Sequence, residues 1–443
     1  MIEVSTLEGL DRVFEAAEQA RTDDELRSTL AEIKIALPAL RDFPVRLASL
    51  NPYGSEYTAC VKEFMRFLHG REYTLANEGF SYDPALLKTG FPYITRSPAT
   101  VGSYLISYGF VIRAMNLPVP SKILEIGCGL GSLSVHLART GYDLTAVDVN
   151  ENFVNHVREL TKDAPGQIKC IASDMNALDL PREYDAVLFY ESFHHSYDHR
   201  ETLRRSLDFL RDDGILALAA EPIVPERCEI LPYPWGPRLD GETLRAIRRL
   251  GWMELGFTET YLYDLLSRNG LVWRRTRSPE THWASIIVAR RVPRTVPGEI
   301  YSCKGSGKGT RFLASGWSQS ESFGTWSEGN TARMLLAPQL EAGQTPEISF
   351  SVIPFLSPVR PKLNVQIMAN GVLLAEWRFF SRKKDMNWTP ISRKVVLPLT
   401  QFDGNYLELT FLIDRTLSGK EAGLNSDERR LGFVLDSFCY GAR

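Results

Sequence analysis

The sequence predicts an α/β protein with a mainly parallel, doubly wound sheet, preceded by a helical region and followed by an antiparallel β domain. Three observations support this prediction. Residues 1–95 carry apolar residues at three- and four-residue spacing. Residues 96–293 alternate short apolar runs with amphipathic stretches, which is typical of βαβ units. Residues 298–443 carry short β-rich runs separated by turn residues.

The composition disfavours several classes of protein. At 443 residues, two or three domains are expected. The chain has 51 Lys and Arg against 54 Asp and Glu, so its formal charge of -3 disfavours a general nucleic-acid scaffold. No run approaches the roughly 18 apolar residues of a membrane span, and the start has no signal-peptide pattern. Six scattered cysteines without a CxxC pair indicate reduced thiols, so a cytoplasmic protein is expected.

In the first region, the strings TLEGLDRVFEAAEQA and TDDELRSTLAEIKIAL predict helices, each opened by a Thr or Asp suited to capping. Pro38 and Pro44 are expected to break this pattern. The string NPYGSEYTACVKEFMRFLHGREY predicts a further amphipathic helix.

In the middle region, helical stretches such as ENFVNHVRELTK and HRETLRRSLDFLRDDG separate short apolar runs. The alternation predicts strands joined by helical crossovers in a mainly parallel sheet. The predicted strands are Lys122–Ile126, Leu144–Val149, Ile168–Ala172, Ala186–Tyr190, Gly214–Ala220 and Trp283–Ala289.

A glycine-rich turn follows the first of these strands, in KILEIGCGLGSLSVHL. Gly127, Gly129 and Gly131 would let backbone N–H groups approach a ligand at the start of a helix. Spacing alone allows a dinucleotide site, but Ser132 holds the position of the last glycine of GxGxxG. Glu125 precedes the turn, where a carboxylate suits a cationic amino-acid group better than a pyrophosphate. A tight turn without any ligand is the alternative.

Two further acidic residues lie at the end of the second predicted strand and after the third. Asp148, with Val149 beside it, could accept hydrogen bonds from both hydroxyls of a ribose. Asp174, beside Met175, could accept from an exocyclic amine such as that of adenine. Together with the glycine turn, these acids match S-adenosylmethionine better than NAD.

On these motifs, residues 100–290 resemble class I S-adenosylmethionine-dependent methyltransferases, which implies a Rossmann-like fold and S-adenosyl-L-methionine as cofactor. By position, the Glu and the three glycines would surround the methionine moiety, the first Asp the ribose, and the second Asp with its Met the adenine. The resemblance and the strand ends together imply these cofactor-binding residues: Glu125, Gly127, Gly129, Gly131, Asp148, Val149, Asp174, Met175 and Tyr190.

The fourth strand ends in YESFHHSYDH, where catalytic residues are expected. Transfer to a hydroxyl benefits from a general base, and histidine titrates near neutrality, so His195 and His194 are candidates. Glu191 is a further candidate, as base or as acceptor for substrate hydroxyls, but it could equally cap the next helix. A metal could in principle bind these three and Asp198, but no ligand spacing is clear, so no metal is expected.

Residues 221–257 form an insertion too long for an ordinary connection, and such loops are usually functional. Its Tyr233, Trp235 and Arg238 suit a polyhydroxylated acceptor, although the aromatic residues could instead pack inward under a helical lid. The string PYPWGPRLDG resembles methyltransferases encoded among bacterial polysaccharide-assembly enzymes. Upstream, three residues are candidate cofactor or acceptor contacts: Tyr93, Arg96 and Tyr104.

The last region pairs Trp with Gly and small hydroxyl residues in GWS and GTWSEG. These strings, with GLNSDERRLGFVLDSF, resemble a jelly-roll-like β-sandwich module attached to glycosyltransferases and other surface-polysaccharide enzymes. The resemblance implies that Trp317 and Trp326 could contact sugar, although both could equally anchor a core. Asn370-Gly371 predicts a hairpin turn.

The expected function is an S-adenosylmethionine-dependent O-methyltransferase acting on a sugar hydroxyl of a bacterial surface polysaccharide, or of its nucleotide- or lipid-linked precursor. The expected partners are a glycan or sugar-containing acceptor and other polysaccharide-assembly enzymes, without nucleic acid. Two alternatives stay open. One is a small-molecule O- or N-methyltransferase of secondary metabolism, and the other is a non-catalytic binding module in a polysaccharide-assembly complex.

Overall fold

A computed structural model describes residues 2–37, 39–78, 88–226, 228–338, 346–381, 388–397 and 406–442. The chain divides into two compact units. The first comprises Met1–Leu265 with Arg275–Val288, and the second comprises Leu266–Arg274 with Ala289–Arg443. The N-terminal helices belong to the first unit together with the α/β sheet, and the predicted boundary at residue 95 stays a prediction.

The described α-helices are α1 (Leu7–Ala17), α2 (Asp23–Ala31), α3 (Ala39–Ala48), α4 (Ser55–His69), α5 (Pro98–Met115), α6 (Ser132–Thr140), α7 (Glu151–Thr161), α8 (His199–Phe209), α9 (Gly241–Arg245) and α10 (Glu259–Arg268). Short 3₁₀ turns cover Leu75–Asn77, Tyr93–Thr95, Phe193–His195 and Lys308–Phe312, and a π-helical turn covers Ala246–Leu250. Among the described residues, no helix combines the length and apolarity needed to cross a bilayer.

The N-terminal helices form largely where their sequence patterns indicate. Thr6 and Thr22 cap α1 and α2, because each side-chain oxygen accepts a hydrogen bond from a backbone N–H three residues on. The expectation that Pro44 interrupts helical structure is wrong, since it lies inside α3. Packing of Phe43 against Phe64, with ring centroids 4.5 Å apart, holds α3 against α4 in spite of the lost N–H donor. Pro38 lies outside the described residues.

The strands up to the end of the α/β region are β1 (Ile2–Val4), β2 (Ile33–Ile35), β3 (Lys122–Ile126), β4 (Asp143–Asp148), β5 (Ile168–Ala172), β6 (Tyr184–Tyr190), β7 (Leu210–Ala219), β8 (Ile223–Val224), β9 (Trp235–Pro237), β10 (Leu255–Thr258), β11 (Leu271–Arg277) and β12 (Ser285–Arg291). All six predicted strands are present, with ends shifted by up to four residues. The strand β11 was not predicted.

Seven strands form the main sheet in the order β11-β12-β7-β6-β3-β4-β5. The pairs β3–β4, β4–β5, β3–β6 and β6–β7 are parallel, which confirms the Rossmann-like prediction. Successive strands add to one side of β3 and then to the other, so the order reverses there. In open α/β sheets, ligands bind outside the carboxyl ends of the strands at such a point.

The insertion of residues 221–257 is built against the N-terminal helices rather than lying as a free loop. Its β8 and β9 pair with β10 in a small three-stranded sheet. Tyr57 of α4 donates its hydroxyl hydrogen to the Trp235 carbonyl at 2.7 Å. Arg248 is paired with Asp11 of α1 at 2.7 Å. The insertion and the N-terminal helices therefore form one wall of the first unit.

The second unit is mostly antiparallel β structure. Its described strands are β13 (Arg294–Thr295), β14 (Ile300–Ser302), β15 (Thr325–Glu328), β16 (Thr331–Pro338), β17 (Pro346–Pro354), β18 (Lys362–Ala369), β19 (Val372–Phe380), β20 (Ile391–Val396), β21 (Leu407–Ile413) and β22 (Leu431–Ala442). One sheet has the order β13-β16-β21-β18-β19, and the other has β14-β22-β17-β20 with β15 also paired to β22. Alternate side chains from both sheets enter one hydrophobic cluster.

Two details of this unit bear on the sequence predictions. Asn370 and Gly371 both have positive φ and join β18 to β19, so the predicted hairpin turn is present. Trp317 packs edge-on against Phe411 and Phe433, each ring centroid 5.8 Å away, and its indole N–H donates to a backbone carbonyl. Trp317 therefore anchors the core.

Candidate functional site

A cavity of ≈ 210 Å³ lies at the carboxyl ends of β3, β4, β5 and β6, where the strand order reverses. We call it the nucleoside cavity. Its walls come from the glycine turn, the ends of the neighbouring strands, the N-terminal region and the insertion. They are formed by Tyr73, Leu75, Glu78, Ile126, Gly127, Gly129, Val147, Asp148, Val149, Phe153, Ser173, Asp174, Met175, Asn176, Glu191, Ser192, His195 and Trp252.

The three glycines of the turn have different roles. All have positive φ, but a Cβ on Gly127 would lie 2.4 Å from the Ser192 Cβ, and one on Gly131 would lie 2.6 Å from Val157 Cγ2. Those two positions need glycine because other parts of the chain pack against them. A Cβ on Gly129 would meet nothing within 4 Å, and this residue lines the nucleoside cavity. Its backbone is thus the part of the turn that a ligand can approach.

The two acids predicted to hold a nucleoside both line this cavity. Asp148 accepts hydrogen bonds from the backbone N–H groups of Gly129, at 2.8 Å, and Asn150, at 2.9 Å. Burial raises the pKa of the Asp148 carboxyl, and these two donors oppose that rise. Asp174 accepts from the backbone N–H of Asn176 at 2.8 Å. Val149 and Met175 add apolar wall beside the two acids.

Three predicted cofactor contacts are not brought to the cavity wall. Glu125 is buried and accepts a hydrogen bond from the Ser134 hydroxyl at 2.6 Å, because its side chain points to α6 while the next residue on β3 faces the cavity. Burial raises the pKa of Glu125 to about 7. Tyr190 instead donates its hydroxyl hydrogen to Ser107 of α5 at 2.9 Å. The Gly131 backbone serves the turn beneath the cavity.

A second cavity, of ≈ 690 Å³, lies beside the first and is lined by many charged side chains together with apolar ones such as Leu26, Leu30 and Ile223. We call it the polar cavity. Its charged lining residues are Asp23, Glu191, Glu221, Asp240, Glu242, Glu254, Arg27, Arg238, Arg245, Arg275 and Arg277. Arg27 lies over the Trp283 ring, 5.1 Å from its centroid, and is paired with Glu242 at 2.8 Å. The walls therefore present a dense set of hydrogen-bonding groups of both signs.

Glu191 lines both cavities. It follows β6 directly and has φ +49°, a left-handed conformation that is uncommon outside glycine and is often found at functional sites. Its Oε1 accepts a hydrogen bond from the Tyr104 hydroxyl at 3.2 Å. Burial raises the pKa of Glu191 to about 7, which suits a general base at neutral pH.

His194 faces the polar cavity. Its Nδ1 lies 2.8 Å from Glu221 Oε2, and its Nε2 lies 3.7 Å from Glu254 Oε2. Glu221 is fixed in turn by the backbone N–H groups of Ser192 and Phe193, at 3.0 and 2.9 Å. Burial opposes ionisation of Glu221, but His194 and these donors outweigh it and hold the Glu221 pKa below its usual value.

His195 faces the nucleoside cavity. Its Nδ1 lies 3.4 Å from Glu78 Oε2, and its Nε2 lies 3.9 Å from Glu254 Oε1. Burial works against protonation, but these carboxylates outweigh it and raise the His195 pKa to about 9. Unless a cation binds between these carboxylates, His195 is protonated at neutral pH and cannot accept a further proton. Glu191 therefore suits the role of general base better.

The proposed substrate contacts of the insertion separate into two groups. Arg238 lines the polar cavity and is paired with Asp240 at 2.9 Å. The expectation for Tyr233 and Trp235 is not met, because both are buried and neither lines a described cavity. Trp235 donates its indole N–H to the Pro52 carbonyl at 2.8 Å, and Tyr233 donates to a carbonyl of its own turn. Both side chains pack inward, which was the competing interpretation.

The upstream candidates also differ in position. Tyr104 reaches the site through its hydrogen bond to Glu191. Tyr93 is half exposed, and neither it nor Arg96 lines either described cavity. Three acids that converge on the histidines, Glu78, Glu221 and Glu254, were missed by sequence reasoning. Only one of them carried a usable signal, since Glu221 stands two residues after the end of β7.

Residues 124–218 match the family described as "Methyltransferase domain". The probable S-adenosyl-L-methionine-dependent methyltransferase TehB of Haemophilus influenzae (strain 10810) is 33% identical over 81 residues, which is 18% of this chain and 28% of that protein. The mitochondrial ubiquinone biosynthesis O-methyltransferase of Schizosaccharomyces pombe is 30% identical over 112 residues, 25% of this chain and 41% of that protein. The 27-O-demethylrifamycin SV methyltransferase of Amycolatopsis mediterranei is 28% identical over 131 residues, 28% of this chain and 45% of that protein.

The matches to these relatives span less than half the length of each relative. Among solved structures, the Burkholderia thailandensis 1,6-didemethyltoxoflavin-N1-methyltransferase aligns with a TM-score of 0.34 and 20% identity, over 43% of this chain and 80% of that one. Residues 124–218, which form the central part of the α/β region, thus match a methyltransferase domain. That domain is the kind found in S-adenosylmethionine-dependent enzymes, so the prediction of S-adenosylmethionine as cofactor is confirmed.

The nucleoside cavity fits this cofactor on its own geometry. The Gly129 backbone is open to a ligand, and two carboxylates stand on neighbouring strand ends where a ribose and an adenine amine can donate to them. The predicted cofactor contacts that line this cavity are Gly127, Gly129, Asp148, Val149, Asp174 and Met175.

Proposed function

We propose that this protein is an S-adenosylmethionine-dependent O-methyltransferase whose acceptor occupies the polar cavity. The observation that supports this most directly is the position of Glu191, which lines both cavities. A group that transfers between a cofactor and an acceptor must pass where their two sites adjoin. When bound, the cofactor supplies an electrophilic methyl group, which the acceptor oxygen takes from sulfur to leave S-adenosylhomocysteine.

In this proposal Glu191 is the general base. It accepts the hydroxyl proton as the bond between the acceptor oxygen and the methyl carbon forms. Such a base contributes typically 10²–10⁴-fold to the rate. The groups that set its charge come from four separate segments of the chain. Tyr104 of α5 and Arg27 of α2 favour the carboxylate form of Glu191, whereas the charges of Glu221 and Glu254 disfavour it. Burial outweighs the first pair, so the carboxyl titrates near neutral pH.

The chemistry of the polar cavity favours a polyhydroxylated acceptor. Six carboxylates and five guanidinium groups line it. Hydroxyl groups can donate to the carboxylates and accept from the arginines, some of which already form the ion pairs Arg27–Glu242 and Arg238–Asp240. A sugar is the acceptor class that matches this lining. The resemblance of PYPWGPRLDG to polysaccharide-assembly methyltransferases points to a bacterial surface polysaccharide or its nucleotide- or lipid-linked precursor, handled in the cytoplasm.

For the second unit we propose a β-sandwich that binds the glycan or another assembly enzyme. Two sheets that share one hydrophobic cluster support the sandwich arrangement. Phe323 and Trp388 are 38% and 48% exposed, and both rings contact Trp326. These exposed rings suit stacking on a sugar better than Trp317, which lies in the core.

A small-molecule O-methyltransferase is the second candidate. The names of two relatives favour it, since one is a ubiquinone biosynthesis O-methyltransferase and the other a 27-O-demethylrifamycin SV methyltransferase. The two candidates differ in the acceptor they need. The purified protein would be incubated with methyl-labelled cofactor and two acceptor panels, one of nucleotide sugars and bacterial glycans and one of phenolic compounds. Mass spectrometry then locates the added methyl.

Methylation of a sugar hydroxyl supports the first proposal, and methylation only of phenols supports the second. Cofactor binding without methyl transfer to either panel would remove the support for both candidates. Transfer by Glu191→Gln at the rate of the parent protein would remove the support for Glu191 as the general base. An Asp212→Asn variant serves as the control, because this surface carboxylate lies outside both cavities.

A further inference from the structure

The two adjacent histidines and Glu254 form a group that the proposed methyl transfer does not use. One nitrogen from each of His194 and His195 and one oxygen of Glu254 lie within 4.8 Å of one another. Glu254 Oε2 is buried and has no hydrogen-bond partner among the described residues. The group stands at the junction of the two cavities, because His195 lines the nucleoside cavity and the other two line the polar cavity.

The hydrogen bonding of the histidines leaves their free nitrogens facing an acceptor. His194 Nδ1 is 2.8 Å from Glu221, so a neutral ring donates there and presents its Nε2 lone pair to Glu254 Oε2 at 3.7 Å. At His195, Glu78 Oε2 lies 3.4 Å from Nδ1, too poorly aligned to count as a hydrogen bond, and Glu254 Oε1 lies 3.9 Å from Nε2. A lone pair facing a carboxylate is unfavourable unless a proton or a cation lies between them. The two rings lie side by side, with centroids 4.4 Å apart, so a nitrogen of each reaches the same space beside Glu254.

We propose that His194, His195 and Glu254 bind a first-row divalent transition-metal ion, with Zn²⁺ as the reference ion. Two imidazoles with one carboxylate are a ligand set that leaves positions open for a further oxygen. Tetrahedral bonds of about 2.1 Å place ligand atoms about 3.4 Å apart, whereas the His194 nitrogen lies 3.7 Å from one Glu254 oxygen and the His195 nitrogen lies 3.9 Å from the other. With one oxygen of Glu254 as ligand, the three ligand atoms lie within 4.8 Å of one another, so small side-chain movements would bring them to bonding geometry. Imidazole ligands favour such an ion over Mg²⁺ or Ca²⁺.

The surroundings of the three ligands support this assignment. Glu221 orients His194 through Nδ1, as carboxylates commonly do for metal-binding histidines, and Glu78 is placed to do so for His195. The nearest competing cation is Arg238, whose Nη2 lies 3.9 Å from Glu254 Oε2. It is already paired with Asp240 at 2.9 Å, so its charge is offset. The carboxylates around the histidines therefore leave a surplus of negative charge for an ion.

The ion would act on the acceptor, and this role rests on the proposed function. An acceptor oxygen entering from the polar cavity would fill an open coordination position, where the ion lowers the pKa of its hydroxyl. The proton would then pass to Glu191, and the oxygen would attack the methyl carbon. The absence of HExxH-type spacing hid this site from the sequence, because Glu254 is about sixty positions from the histidines and joins them only in the fold.

The test uses the full chain after chelator treatment and dialysis. Zn²⁺ affinity is measured by calorimetry, bound metal by mass spectrometry, and Co²⁺ binding by the visible absorption of the coordinated ion. The parent protein is compared with His194→Ala, His195→Ala and Glu254→Gln, and with His156→Ala as a histidine control outside both cavities. Circular dichroism and urea unfolding check that each variant is folded, because His195 lines the nucleoside cavity and its loss could weaken cofactor binding without unfolding.

The expected result is one ion per chain, retained by the control and weakened about 100-fold or more by each ligand substitution, since even loss of an orienting partner typically costs 10–100-fold. Equal Zn²⁺ binding by the parent and Glu254→Gln, or no stoichiometric binding at all, would overturn the site and leave a charged hydrogen-bond network as its explanation. The proposed function can fail separately: an ion bound by these residues without methyl transfer to any acceptor refutes the function and not the site. Full transfer activity in metal-free protein that binds no Zn²⁺ refutes the site and not the function.

Discussion

Replacing Glu191 by Gln tests the proposed proton transfer at the place where the two cavities adjoin. The substitution keeps the shape of the side chain and its contact with Tyr104 but removes the group that accepts a proton. The loss expected in kcat is about 10²–10⁴-fold, which is the usual contribution of a general base and corresponds to roughly 3–5 kcal/mol of transition-state stabilisation. Cofactor affinity should change little, because the two acids placed to hold the nucleoside are untouched.

The pH dependence gives an independent readout of the same residue. Because the Glu191 pKa is raised to about 7, its basic form is lost as the pH falls through 7, and the rate should fall with it. In Tyr104→Phe the carboxylate loses a donor that favours ionisation, so the midpoint should move above 7. The assay is the initial rate of labelled methyl transfer between pH 5 and 9, with calorimetry of the cofactor at each pH as control.

A Gln variant within about threefold of the parent rate would refute the reasoning, because a general base contributes at least about 10²-fold. So would a rate profile with an unchanged midpoint in Tyr104→Phe. If a variant shows a low rate because it is misfolded, its cofactor binding should be lost as well. Calorimetry of the cofactor therefore separates misfolding from the loss of a general base.

Three further predictions concern the cofactor turn. Asp148→Asn should weaken S-adenosylmethionine binding about 10- to 100-fold by calorimetry, because hydrogen bonds to a charged acceptor contribute about 1.5–3 kcal/mol; unchanged affinity would contradict the ribose role. Gly131→Ala should lower the free energy of unfolding by about 1–3 kcal/mol in urea, since its φ is +75° and its Cβ would press on Val157, whereas the same change at Gly102, with nothing near its Cβ, should not destabilise. Glu125→Gln should stabilise the cofactor-free protein by up to about 3 kcal/mol at pH 8 and not at pH 4. The pKa of Glu125 is raised to about 7 in the folded protein, so the folded state favours the neutral acid and loses stability as the pH rises from the unfolded pKa through 7. Equal stabilities of the two proteins at pH 8 would show that the folded pKa of Glu125 is not raised.

The parts of the site that sequence reasoning found are those carried by short, continuous motifs. Gly129, Asp148 and Asp174 each lie at or just after the end of a strand, and parallel strands bring their carboxyl ends to one edge. The same rule misassigned Glu125, because one position along a strand exchanges the cavity face for the helix face. Tyr233 and Trp235 were proposed as substrate contacts because their residue types suit a sugar. In the structure their side chains fill the space between the insertion and the N-terminal helices.

The acids around the histidines illustrate the opposite limit. Glu78, Glu221 and Glu254 come from three separate segments, and no local pattern joins them. Even the roles of the two histidines depend on these partners. Beside Glu78 and Glu254 the pKa of His195 is raised to about 9, whereas an isolated imidazole titrates near 6.5.

The sequence by itself determined the order of strands and helices, the glycine turn and the two acids that a nucleoside requires, because periodicity and strand-end position are local properties of the chain. Only the tertiary structure decided which side chains face a cavity, that Glu191 lines both cavities, and which carboxylates meet His194 and His195. Those outcomes depend on burial and on contacts between segments far apart in the chain, and both the pKa of a carboxyl group and the assembly of a metal site arise from such contacts.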